Sequence, residues 1–176
     1  EMRVVEIDVD EICHQGDLRR HIEPIYFVPE NEEARAAHCK EVFAIQSAGL
    51  AQRLEHTSCD AVVMGISVGL DSTLALLAVC DTYDLLGLDR KKIIGVTMPG
   101  FGTTDRTYQN ALAMVKELGC TLREISIKDA CEQHFKDIGL SKEECSVAYE
   151  NSQARERTQI LMDVANMCGG MVIGTG

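Results

Sequence analysis

The 176-residue chain lacks a Cys-x-x-Cys pair, a basic surplus, a long apolar run and any internal repeat, and each absence removes a class of function. Its eight cysteines, Cys13, Cys39, Cys59, Cys80, Cys120, Cys131, Cys145 and Cys168, are too widely spaced for a zinc or redox motif or a small disulfide scaffold. Several sit in apolar contexts where a free thiol behaves as a small hydrophobe, so reduced thiols and a cytoplasmic setting are expected. With 17 Lys and Arg against 28 Asp and Glu, the net charge is −11. Such a surface has no basic footprint with which to displace the counterions of nucleic acid, and no nucleic-acid partner is expected. No apolar run approaches membrane-spanning length and no charged n-region with an apolar h-region opens the chain, so neither membrane association nor targeting is expected. The sequence begins at Glu1 and ends on Gly174-Thr175-Gly176 directly after an apolar run, which reads as a piece of something longer.

What is present is one domain's worth of chain, or a domain with an appendage, at 45% hydrophobic content. Arg3 to Val9 alternates apolar and charged residues as a half-buried strand would, and residues 1–29 read as that strand plus a linker. From Glu30 the pattern turns helical, with Phe43, Leu50 and Leu54 on one face after Pro29, ending near His56 to Ser58. A βα rhythm follows, with strands expected at Ala61 to Ile66, Ile93 to Met98, Leu122 to Ile127 and Met171 to Ile173. Tyr108, Ala111, Leu112, Val115 and Leu118 recur at helical spacing, as do Leu161, Val164, Ala165 and Cys168 before Gly169-Gly170. Parallel strands need such crossover helices, so the expected fold is α/β: a doubly wound, Rossmann-like parallel sheet with flanking helices.

In open α/β sheets ligands lie beyond the carboxyl ends of the strands. The loop after the first of these strands reads Gly65-Ile66-Ser67-Val68-Gly69-Leu70-Asp71-Ser72. It is either a turn with an N-cap or a phosphate cradle. For the second, the first N–H groups of a helix have no internal partner, Ser67 and Ser72 offer hydroxyls, and Asp71 offers a hard carboxylate for Mg²⁺ on a polyphosphate. The next loop, Pro99 to Asp105, is either a capped turn or an approach to a base or ribose. Asn151 and Arg155, four apart on the last helix, share a face beside the apolar stripe, either to bind a carboxylate, phosphate or amide-bearing ring or simply to face solvent.

The order S-x-G-x-D-S resembles the SGGxDS loop of the ATP pyrophosphatases, with Val68 where that family has a glycine. A β-branched residue there implies a strained backbone or a displaced loop. Together with M-P-G-F-G-T-T-D-R-T from Met98 and Y-E-N-S-Q-A-R-E-R-T from Tyr149, the chain from about Pro24 resembles the synthetase domain of glutamine-dependent NAD⁺ synthetase. The resemblance implies the adenine nucleotide alpha hydrolase-like fold and ATP-dependent amidation of deamido-NAD⁺, with pyrophosphate and AMP released and ammonia supplied from glutamine. It implies that Gly65, Ile66, Ser67, Val68, Gly69, Leu70, Asp71, Ser72 and Thr175 contact ATP, that Asp71 is catalytic and holds Mg²⁺, and that Asn151 and Arg155 bind deamido-NAD⁺. It also implies a homo-oligomer, with residues 1–29 as the tail of a glutamine amidase domain plus linker and 30–176 as the first part of the synthetase domain. The family's Asp/Glu-containing segment lies beyond Gly176, so the segment by itself is expected to be inactive. The alternatives are another nucleotide-amidating ATP pyrophosphatase and a nucleotide-binding module without catalysis.

Overall fold

Four short segments, all but the third apolar, form one parallel sheet in the computed structural model, which describes residues 27–59, 61–102, 105–141, 143 and 145–175. They are β1 (Val62–Gly65), β2 (Ile93–Thr97), β3 (Thr121–Glu124) and β4 (Met171–Val172), in the order β3-β2-β1-β4. Val62 of β1 pairs with Ile93 on one side and Met171 on the other. The helices are α1 (Glu32–Thr57), α2 (Leu70–Leu86), α3 (Asp105–Glu117), α4 (Lys128–Ile138) and α5 (Val147–Cys168), and Arg90–Lys92 forms a 3₁₀ turn before β2.

The chain divides into two compact units, Glu1–Glu41 and Val42–Gly176. In the first, described from Phe27 onward, Asn31 Oδ1 accepts from the backbone N–H groups of Glu33 and Ala34 at 2.8 and 3.2 Å and so caps α1. The strand expected over Arg3 to Val9, and with it nearly all of the expected 1–29 segment, lies outside the described residues.

In the second unit both sheet faces are covered. Successive strand residues point to opposite faces, so Val62 and Met64 enter one core with Leu54, Leu76, Val79, Tyr83 and Val115. Val63 enters the other with Val96, Ile127, Phe135, Val164 and Ala165. The end of α1 with α2 and α3 therefore covers one face, and α4 with α5 the other, which is the doubly wound arrangement expected. The crossovers through α2 and α3 step outward from β1 to β2 to β3. The next crossover, through α4 and α5, returns the chain to the far side of β1. Strand order thus reverses beside β1, and its carboxyl end lies at the topological switch point.

Two expectations are corrected. The strand expected over Leu122 to Ile127 is Thr121–Glu124, because β3 is an edge strand and its sole ladder partner, β2, ends at Thr97. Beyond it, among the described residues, only single bonds remain, from Ile125 N to Thr97 O and from Ile127 N to Pro99 O. Cys168, expected on the apolar stripe of the last helix, is exposed although Val164 and Ala165 are buried. The sheet beneath that turn is the two-residue edge strand β4, which offers little to cover.

Candidate functional site

β1 runs on for one ladder bond, Ile66 N to Val96 O at 3.0 Å, and then bends sharply into α2. The bend depends on Val68, which takes φ 61°, the left-handed region that a β-branched residue occupies only under strain. Its side chain packs against the core beneath α2, which offsets part of a cost of about 1–2 kcal/mol. Of the two outcomes expected for a valine there, the backbone is strained. Gly69 precedes α2 in an extended conformation with no side-chain cap. The N–H groups of the first turn therefore have no side-chain acceptor and face outward with the positive end of the helix dipole. The Ser72 hydroxyl donates to Gly69 O at 3.2 Å, leaving Ser67 Oγ, 3.1 Å away, as the donor between the two serines.

This bend separates two hollows. Gly65, Ile66 and Ser67 open on a cavity of about 440 Å³ whose other walls include Met98, Pro99, Tyr108, Arg157 and Leu161. That volume and its mostly apolar lining suit a small organic ligand with a few polar anchors. Asp71, in the first turn of α2, opens instead on a neighbouring hollow of about 320 Å³ shared with Gln46, Gly174 and Thr175. Val68, Gly69, Leu70 and Ser72 lie along the bend between, with Leu70 fully turned to solvent.

The second wall is built by α5 gripping the loop after β2. Phe101 sits 6.1 Å from Phe135 and 5.8 Å from Tyr149, ring centre to ring centre. The buried Gln153 accepts from Phe101 N at 3.4 Å, and Arg157 Nε donates to Met98 O at 3.4 Å. A Cβ on Gly100 would lie 2.7 Å from Gln153 Oε1 and 2.8 Å from Arg157 Nη2, so a side chain here would force both groups to shift from their bonds to the loop. Opposite, the Tyr108 hydroxyl donates to the Glu124 carboxylate, which raises its pKa above the ordinary phenol value.

Asn151 and Arg155 are exposed on α5 and line neither hollow, whereas Arg157, on the apolar side of the helix, half-buries against the larger one. A signal for it was present. Gln153, Arg157 and Leu161 recur every four residues in line with Val164 and Ala165, so polar side chains occupy the inward stripe itself. As for a metal, the described residues contain no cluster of three or more His, Cys, Asp or Glu side chains able to hold one. A single exposed carboxylate at a helix start fits Mg²⁺ that arrives on a polyphosphate and keeps most of its ligands as water and phosphate oxygen.

The family model described as NAD synthase matches residues 42–176. The glutamine-dependent NAD(+) synthetase of Mycobacterium leprae (strain TN) is 42% identical over 163 residues, which is 90% of this chain and 24% of that relative. The chain thus spans about a quarter of that relative's length. Among solved structures, the glutamine-dependent NAD+ synthetase from Acinetobacter baumannii in complex with adenosine diphosphate matches with a TM-score of 0.66 and 25% identity, over 76% of this chain and 26% of that one. The NMN synthetase from Francisella tularensis matches with a TM-score of 0.66 and 27% identity, over 78% of this chain and 54% of that one.

Proposed function

This chain belongs to the NAD synthase family, and on that premise we propose that it carries the nucleotide-binding part of a centre that amidates deamido-NAD⁺ at the expense of ATP. The observation that carries the reading is the uncapped start of α2 at the switch point, flanked by the Ser67 and Ser72 hydroxyls and lying between the larger cavity, which Ser67 lines, and the hollow that Asp71 lines. The A. baumannii relative's complex with adenosine diphosphate supports it. The adenine ring fits the apolar walls at Met98, Pro99 and Leu161, and the phosphates run across Ser67 to Leu70, where backbone N–H groups and hydroxyls receive them. Asp71 would hold Mg²⁺, with the Thr175 hydroxyl beside it. Bound there, the ion neutralises charge growing on the leaving pyrophosphate.

In the first step a carboxylate oxygen of deamido-NAD⁺ bonds to the α-phosphorus of ATP as the bond to pyrophosphate breaks. In the second, ammonia attacks the acyl carbon and AMP departs. Asn151 and Arg155 present an amide and a guanidinium on the outer face of α5, and we assign them to deamido-NAD⁺, bound where a second subunit covers that face. Residues 1–29 are assigned to the end of the amidase domain that supplies ammonia from glutamine, and the protein to the cytoplasm.

Calorimetric titration of Mg-ATP tests the reading. Saturable one-site binding is expected, weakened at least about tenfold by Asp71→Asn, roughly 1.4 kcal/mol. Heat indistinguishable from dilution would overturn it. The F. tularensis match motivates a second reading, amidation of a smaller nucleotide that bears the same carboxylate. Titrating either nucleotide into the Mg-ATP-loaded chain decides between them, since turnover is not expected of this segment, and ATP binding with neither nucleotide taken up would favour a nucleotide-binding module.

A further inference from the structure

Two cysteines that take no part in the nucleotide site meet on the α2 side of the sheet. Cys80 lies in the middle of α2 and Cys120 immediately precedes β3, yet their sulfurs are 3.7 Å apart. A disulfide has S–S near 2.05 Å, so rotation of the two side chains has less than about 2 Å to close. The approach is held from outside by Arg90. Its Nε donates to Asp84 Oδ1 at 2.8 Å, one helical turn beyond Cys80, and its Nη1 donates to Leu118 O at 3.1 Å, two residues before Cys120. Cys120 N also donates to Val115 O at 3.1 Å, which fixes the turn that carries the second sulfur. Cys80 is 2% exposed and Cys120 half-buried, so a small oxidant reaches the pair over Cys120 while larger thiols and disulfides do not reach Cys80.

We propose that Cys80 and Cys120 are a modification site, a dithiol that hydrogen peroxide closes to an intramolecular disulfide linking α2 to the start of β3. The environment orders the steps. The Cys80 thiol is pulled below its usual value, first by its hydrogen bond with Cys120 and then by the charge of Arg90, against burial and the Asp84 carboxylate. The Cys80 thiolate therefore attacks peroxide, forming S–O and breaking O–O, to give a sulfenic acid and hydroxide. Cys120 is held as a thiol chiefly by its hydrogen bond to Cys80, a cause that vanishes once the Cys80 sulfur is neutral, while Arg90 favours its thiolate. Its thiolate then attacks the sulfenic sulfur, forming S–S and expelling hydroxide. The two hydroxides take up the two thiol protons, so two thiols and one peroxide become one disulfide and two waters.

The test uses the reduced native chain with up to about tenfold molar peroxide, followed by alkylation of remaining thiols in denaturant and peptide mapping by mass spectrometry. The expected result is loss of two adducts, with a Cys80–Cys120 peptide pair as the dominant cross-link, reversed by dithiothreitol. Cys120→Ser should abolish that link and leave Cys80 as a sulfenic acid that dimedone traps when the oxidised chain is opened in denaturant. Circular dichroism checks that this variant folds, and mapping of the unmodified chain stands without it. Absence of the link, or a mixture in which other cysteine pairs equal it, overturns the proposal. Neither result depends on whether ATP binds.

Discussion

The strain at Val68 belongs to folding and not to the proposed nucleotide binding. Because the loop already holds φ 61° in the folded chain, the strain is met on folding and is not incurred again when a phosphate arrives. Val68→Gly should therefore stabilise the chain by up to about 1 kcal/mol, less whatever the lost side-chain packing removes, with thermal unfolding as the measure. Mg-ATP affinity should move by less than about threefold. A gain of tenfold or more by calorimetry would instead mean that the valine Cβ stands in the phosphate's way. Arg157 and Arg155 make the opposite pair. Arg157→Ala removes the donor to Met98 O and a wall of the larger cavity, and should weaken Mg-ATP binding by roughly 1–2 kcal/mol. Arg155→Ala should leave ATP binding intact and weaken deamido-NAD⁺. Arg157→Lys should recover little, since an ammonium does not reproduce the guanidinium fork. Equal effects of the two alanine variants on ATP would remove the distinction.

At the scale of elements, the loop after β2 is held by its fit against α5. Gly100→Ala pushes a Cβ into Gln153 and Arg157, both partly or wholly buried, and should cost about 1–3 kcal/mol by thermal unfolding. An unchanged midpoint would show that α5 yields. The end of α2 is tied to the 3₁₀ turn by the Asp84–Arg90 ion pair, which lies at the surface, with side chains 55% and 34% exposed. Its hydrogen bond from Arg90 holds Asp84 below the ordinary carboxylate value of 3.8. A depressed carboxylate stabilises above its unfolded value and loses that contribution as pH falls through the folded one. Wild type should thus exceed Asp84→Asn by no more than about 1 kcal/mol at neutral pH, and the gap should close below pH 3.8. A gap independent of pH would assign the effect to packing alone.

For the whole molecule, the proposed site predicts that ligand and fold are coupled. Mg-ATP at about one hundred times its dissociation constant should add roughly 2.7 kcal/mol to stability. In a chain of 176 residues that raises the melting temperature by roughly 5–10 °C. Adenosine alone should do much less, because it leaves the start of α2 unused. Equal shifts from both would place the affinity in the base cavity and not at the bend.

The sequence by itself determined what local periodicity and charge encode. The four strands, the helices between them, the glycine stop after α5 and the bend from Gly65 to Ser72 all rest on residues within a turn or two of each other. The family likeness rests on the same short motifs. Tertiary structure alone decided the rest. Sheet order brought Cys80 within 3.7 Å of Cys120 across forty positions, set Arg157 against Met98 and Gly100, and parted Asp71 and Thr175 from the cavity that Ser67 lines. It also let the core accept Val68 at a positive φ. Such contacts join segments distant along the chain, and no spacing rule along a sequence specifies which side of a strand a returning crossover will occupy.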